Sequence, residues 1–288
     1  MRRPDVITVC LLVLGGSPAA AQSQAVLRFV PELGRITRTL TEVKTTTTLV
    51  GFPAVPDRAA FEEETWISVT QRVARMGEDG AVVQVTMDSI RGRVRLAGEP
   101  WTDAADTSLI GRSAQAIVSP RFGVVGIRST GPRDGEILQA LGAFAAGLDF
   151  AFPEGPVTAG ATFATGGRLR ARFRTDSATG LAIDEVVFGD LALTLDSAVA
   201  AGAELLGYLH FQGTLTPRTA AVAGESGDVV TALSGAFAGR LVWSEQWGAF
   251  VSGAVRIRVT GRIRTQGPRG EEAAEATWDR TVVHRVRP

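Results

Sequence analysis

The chain offers few side chains for proton transfer or nucleophilic attack, and their spacing is informative. Histidine is the usual proton shuttle near neutral pH, and there are two, His210 and His284. They fall on different expected strands, outside any His-x-x-His or Glu-x-x-His pattern, so they outline no metal site. Gly224-Glu225-Ser226-Gly227-Asp228 misses both the Gly-x-Ser-x-Gly spacing and the strand–turn–helix context of a nucleophile elbow. It reads as part of a polar loop over residues 220–228. Glu62, Glu63 and Glu64 are adjacent and cannot all face one point on a regular element, so they read as a solvated face. The stretch from Asp176 to Glu185 has Gly180 but lacks the alternating acids of an EF-hand loop, and no glycine loop cradles a phosphate. No catalytic residue, metal or cofactor is assigned. Paired carboxylates of the glycosidase kind are brought together by the fold rather than by spacing, so a carboxylate-dependent hydrolase stays as a minor alternative.

Two patterns point to binding. Arg168, Arg170, Arg172 and Arg174 alternate with Leu169, Ala171 and Phe173. On a strand that places four guanidinium groups on one face, about 6.6 Å apart. Arginine's fork suits carboxylates and phosphates, so this face either meets an anionic glycan or lipid head group or is bathed in water. The second pattern is helical. Ile137, Leu138, Leu141, Phe144 and Leu148 recur at three- and four-residue steps, which predicts an apolar stripe on a helix linking two parts of the chain. With Phe150, Phe152, Trp243 and Trp247 it would either plug a core or roof a lipid-sized groove. The groove residues are then Leu138, Leu141, Phe144, Leu148, Trp243 and Trp247.

The elements that must position these groups are mostly strands. Leu191, Leu193 and Leu195 alternate with Ala192, Thr194 and Asp196, and Val255, Ile257 and Val259 alternate with Arg256, Arg258 and Thr260. Val83, Val85 and Met87, and then Trp278, Val282 and Val286, follow the same period of two. The threonine run 45–48 suits the pleat because its side chains are β-branched. Turn residues separate these runs, and strands so closely spaced imply antiparallel connections. A weaker helical possibility covers Asp57 to Glu64.

Residues 1–21 read as a secretory signal peptide: Arg2 and Arg3, then an apolar run from Val6 to Leu14, then Ala19-Ala20-Ala21. The one cysteine, Cys10, lies within it, so the chain beyond has no thiol for a disulfide. The 30 basic and 30 acidic residues cancel, leaving no global field to recruit nucleic acid. No later segment is long and apolar enough to be a transmembrane helix. An outer-membrane barrel would need aromatic girdles, and Tyr208 is the single tyrosine.

A duplication organises the rest. Leu33-Gly34 and its Thr/Arg-rich sequel align with Ala159-Gly160, about 125 residues on. Gly80-Ala81 aligns with Gly202-Ala203, Gly92 with Gly213, Gly111 with Gly235 and Gly123 with Gly248. The expected layout is a first β-rich repeat over 22–132, a linking helix over 133–152 and a second repeat over 153–288.

This element order, with the Phe152-Pro153-Glu154-Gly155-Pro156-Val157 to Gly160 link, resembles an uncharacterised family of exported bacterial β-rich proteins. Members carry a similar "pro-x-x-pro-val-x-x-gly-aspartate-x-trp" phrase, in which this chain has Ala161 and Phe163 at the last two defined positions. The resemblance implies a mainly β fold and brings no active residues with it. At the level of fold, the pattern also resembles periplasmic lipoprotein-carrier-like half-barrels. The reading is a mainly β protein of two duplicated antiparallel halves, forming curved sheets or a barrel-like body around one amphipathic helix. Its expected role is non-enzymatic: a periplasmic or extracellular binding or envelope-accessory protein for an apolar or amphiphilic ligand such as a lipid. The alternative is a structural protein that meets an envelope partner and takes no small ligand.

Overall fold

Alternation becomes strand almost everywhere in the computed structural model, which describes residues 24–51, 58–78, 80–121, 124–128, 148–149, 151–164, 168–174, 182–221, 229–267 and 270–287. In chain order the strands are β1 (Gln24–Ala25), β2 (Ile36–Val50), β3 (Arg58–Gly77), β4 (Gly80–Leu96), β5 (Thr102–Asp103), β6 (Ser113–Val118), β7 (Val124–Arg128) and β8 (Leu148–Asp149). They continue as β9 (Val157–Thr158), β10 (Thr162–Ala164), β11 (Arg168–Arg174), β12 (Ala182–Ala201), β13 (Glu204–Ala221), β14 (Val229–Ser244), β15 (Ala249–Gly267) and β16 (Gly270–Arg287).

Fourteen of these form one sheet in the order β7-β6-β4-β3-β2-β16-β15-β14-β13-β12-β11-β8, with β10 also on β12 and β5 also on β4. β1 and β9 make a separate pair. Neighbours are antiparallel because most connections are short hairpins, which parallel strands cannot use. The one long closure is β16 beside β2, in register from Glu275 opposite Val50 to Arg287 opposite Arg38. That pairing makes a single continuous sheet of the early and late strands. Among the described residues the sheet does not close into a barrel; it ends at β7 and β8.

One face of the sheet is dry. Leu191, Leu193 and Leu195 are buried while Asp196 is exposed, and Val255, Ile257 and Val259 are buried while Arg256 and Arg258 are exposed. On β2 the dry positions are largely threonine: Thr39, Thr41, Thr45 and Thr47 are all buried, followed by Leu49. Their partners on β16 are Val286, His284, Arg280, Trp278 and Ala276. The larger core gathers Phe152, Leu209, Phe211, Phe237, Trp243, Phe250 and Trp278 among others, and a smaller one gathers Ile67, Val69, Val85, Met87 and Ala114.

The segment before β2 crosses one end of the sheet. Gln24 and Ala25 pair with Thr158 and Val157, Leu27 joins the larger core, and the Phe29 amide donates to the Pro120 carbonyl at 3.0 Å. Gly34, at φ 81°, then turns the chain into β2, a conformation that costs glycine little. Its amide donates to the Val73 carbonyl at 2.9 Å, and the Val73 amide donates to the Arg35 carbonyl at 3.1 Å. This end of the sheet is where the β3–β4, β12–β13 and β14–β15 turns lie.

Two helical expectations are corrected. The helix over Asp57 to Glu64 is not supported: Asp57 lies outside the described residues, and from Arg58 the chain is strand β3, with Glu62 and Glu64 opposite Arg95 and Arg93 of β4. Sheet pairing satisfies both backbone and charge there, which local propensity did not register. The amphipathic helix of 133–152 is not supported. Leu148 and Asp149 form β8, pairing with Leu169 and Arg168, and Phe152 is buried in non-helical chain. Leu138, Leu141 and Phe144 lie outside the described residues. Among the described residues the helical structure is a single 3-10 turn, Thr107–Leu109, capped by the Asp106 carboxylate accepting from the Ser108 amide. No described helix is long and apolar enough to cross a membrane.

Candidate ligand pocket

A cavity of about 90 Å³ opens between the crossing segment and the sheet end it covers. The segment contributes Phe29, Pro31 and Arg35, and the start of β2 adds Thr37 and Thr39. Gln71 and Val73 come from β3, Val83 from β4, Trp247 from the β14–β15 turn, Phe250 and Val251 from β15, and His284 and Val286 from β16. Alternation explains the set: Thr37, Thr39, Gln71, Val73 and Val286 all sit on the dry face in neighbouring rows.

Exposure varies around the lining. Thr39, Val73, Val83, Phe250 and His284 are buried, whereas Arg35, Thr37, Gln71 and Trp247 are half-buried, as are the apolar Phe29, Pro31, Val251 and Val286. His284 shares a 3.3 Å hydrogen bond between its Nδ1 and Thr41 Oγ1. Burial pushes its pKa down to about 4, because a dry site disfavours the imidazolium. At neutral pH the deep end is therefore uncharged.

Arg35 is the one ionised side chain in the lining at that pH. It lies over the Trp247 ring, 5.3 Å from the centroid, and one terminal nitrogen donates to the Trp247 carbonyl at 3.0 Å. The other donates to Glu32 Oε2 at 2.7 Å, and that carboxylate is mostly in water, at 71% exposure. The β14–β15 turn that carries Trp247 is braced by Ser244, whose hydroxyl donates to Glu204 and accepts from the Trp247 amide.

The residues singled out from sequence are dispersed. Trp247 lines this pocket, but Trp243 lies deeper, edge-on to Phe152 at 4.7 Å and to Phe250 at 5.1 Å. Leu148 is at the far edge of the sheet. Arg168, Arg170, Arg172 and Arg174 do share strand β11, beyond the reach of this site, and their side chains lie outside the described ones. No local sequence pattern assigns Arg35, Phe29 or His284 to a site. The one available signal was the apolar Phe29-Val30-Pro31 run just before the Gly34 turn.

The wet face carries three further features. Arg93 donates to Glu64 through Nε at 2.8 Å and lies over Trp66 and Trp101, at 5.3 and 4.4 Å. Arg95 donates to Glu62 and covers the same Trp101 at 4.4 Å. Arg93 holds the Glu64 carboxyl below its ordinary range by hydrogen bonding. Across β12–β15 a shallow depression of about 620 Å³ has Ala192, Gln212, Thr214, Ala236 and Ala238 as its floor, with Arg256 and Arg258 beside it. Arg256 donates to Asp279 through two nitrogens at 2.9 and 2.5 Å, and these bonds hold the Asp279 carboxyl low. His210 is 2.5 Å from Asp196 on this face. Among the described residues no cluster of three His, Cys, Asp or Glu could hold a metal.

No family model matches the chain, and no curated protein matches it. Among solved structures, it is similar to OmpF of Salmonella typhi in a complex with daunomycin. The match has 8% identity over 86% of this chain and 98% of that one, at a TM-score of 0.20, too low to argue from. The mainly β, antiparallel character stands on the strands themselves. The family and half-barrel resemblances rest on sequence alone.

Proposed function

We propose that this is an exported, non-enzymatic binding protein that takes an apolar or amphiphilic ligand at the end of its sheet. The observation that carries the reading is the cavity walled by Phe29, Val73, Val83, Trp247, Phe250 and Val286. Small-molecule sites are typically concave, mostly apolar and lightly furnished with polar groups, and this one meets that description on a small scale. The wall comes from five strands, a turn and the crossing segment, so its shape is preorganised by the fold. Relatedness of the two halves belongs to the same reading. It is supported by Gly34 before β2 and Gly160 before β10, which have φ of 81° and 83°.

The test is direct titration of the purified protein with a panel of small apolar and amphiphilic compounds, read by calorimetry, beside mass spectrometry of an organic extract. Binding that is lost in Val251→Trp, which fills the cavity, supports the reading. An empty extract together with no heat from any panel member would falsify it. The depression beside Arg256 and Arg258 favours a second reading, an acidic envelope protein as partner. Its mark would be a cross-link from Arg258→Cys to a protein neighbour.

A further inference from the structure

We infer that the pocket selects a small aliphatic carboxylate, with Arg35 gripping the carboxylate at the rim and the hydrocarbon end inside. This deepens the reading above and rests on it. The sign of the charge follows from the lining. Arg35 is its one ionised group at neutral pH and is half-buried, and the rest of the lining presents apolar and neutral polar groups. A cationic ligand would set its charge against the guanidinium. A neutral one would leave the guanidinium's donors to water.

Arg35 has the capacity to receive such a group. Two of its N–H groups are used, one on the Trp247 carbonyl and one on Glu32, which leaves three of the guanidinium's five. The guanidinium lies over the Trp247 ring and bonds the Trp247 carbonyl, and a planar fork held in this way loses little entropy when it meets a carboxylate. The Glu32 contact is an exposed ion pair between residues three apart, a kind worth little in water, so a ligand carboxylate can replace it. Gln71 and Thr37, opposite each other on β3 and β2, also line the pocket as neutral hydrogen-bonding groups.

Size follows from volume. A dry cavity of about 150 Å³ accepts benzene, whereas this one is about 90 Å³. The buried part of the ligand is therefore small, which favours a short or branched chain over a long acyl tail.

The experiment is calorimetric titration at pH 7 with isovalerate, with isoamyl alcohol as the uncharged ligand of the same carbon skeleton, and with laurate. Isovalerate should bind at least about tenfold more tightly than the alcohol. Arg35→Gln should abolish that preference, and Arg35→Lys should keep part of it, since charge survives while the fork is lost. Should Arg35→Gln fail to fold, the comparison on the unaltered protein and on Arg35→Lys still decides. Equal affinity for acid and alcohol overturns the carboxylate inference but leaves an apolar binding site standing. Tighter binding of laurate overturns the size assignment. No binding of any of the three removes both this inference and the reading on which it rests.

Discussion

The ring of Phe211 lies over the backbone of Gly239, its cross-strand partner on β14. A Cβ placed on residue 239 would stand 2.4 Å from Phe211 Cζ and 2.5 Å from the Ala254 carbonyl oxygen. Glycine is thus required by close approach on both sides, ring and neighbouring strand. Gly239→Ala should destabilise the protein by about 1–3 kcal/mol, the usual cost of overfilling a packed core. Phe211→Leu in the same chain should recover part of that loss but not all, because the carbonyl cannot withdraw. Urea unfolding of the two single variants and the double variant measures the coupling, and strict additivity would refute it.

His284 gives the fold a pH dependence with a definite sign. Its folded pKa of about 4 lies below the ordinary histidine value near 6.5. Between these values the unfolded chain binds the extra proton, so stability rises with pH across that window and falls as the solution is acidified through it. The difference corresponds to about 3 kcal/mol lost between pH 6.5 and 4. His284→Gln should unfold more easily at pH 7 yet show a flatter profile from pH 6.5 to 4. Parallel profiles for the two proteins would show that another group is responsible.

Trp243 is expected to matter more for stability than Trp247. Trp243 is buried between Phe152 and Phe250, and removing such a ring from a core typically costs about 3–5 kcal/mol. Trp247 is half-buried on a turn, so Trp247→Ala should cost less and act mainly on ligand affinity. Thermal unfolding of the two variants side by side makes the comparison.

Arg93 should act chiefly through stacking. Arg93→Ala removes an ion pair that is partly in water, at 41% exposure of the arginine side chain, and two ring contacts. Exposed stacks of this kind contribute about 0.5–1 kcal/mol each and a surface ion pair less than about 1. The loss should total about 1–3 kcal/mol and exceed that of Glu64→Gln. A larger effect from the glutamate variant would reverse the assignment.

The strands were legible because alternation is a local signal. Leu191-Leu193-Leu195 and Val255-Ile257-Val259 announce a dry face without knowledge of any partner, and the structure buries those residues. The helical possibility over Asp57 to Glu64 failed for the opposite reason: the partners of Glu62 and Glu64, Arg95 and Arg93, sit some thirty residues away, and pairing overrides propensity. The same holds for Leu148, which the helical spacing claimed and the edge of the sheet took. Of the pocket, only Trp247 was legible. Its walls come from positions near 30, 72, 83, 248 and 285, and no local pattern links residues so far apart. The sequence groups Trp247 with the apolar helical stripe, and Arg35 falls within an arginine- and threonine-rich run.

The β2–β16 seam has a consequence for assembly. Until β16 is docked, β2 and β15 each present a long flank of backbone amides and carbonyls with nothing to bond, and such flanks invite pairing with another chain. Joining Arg38 to Arg287 spans nearly the whole polypeptide, so the seam closes late and slowly compared with any hairpin. Variants that loosen β16 should therefore be lost as insoluble aggregate long before the finished protein becomes measurably less stable.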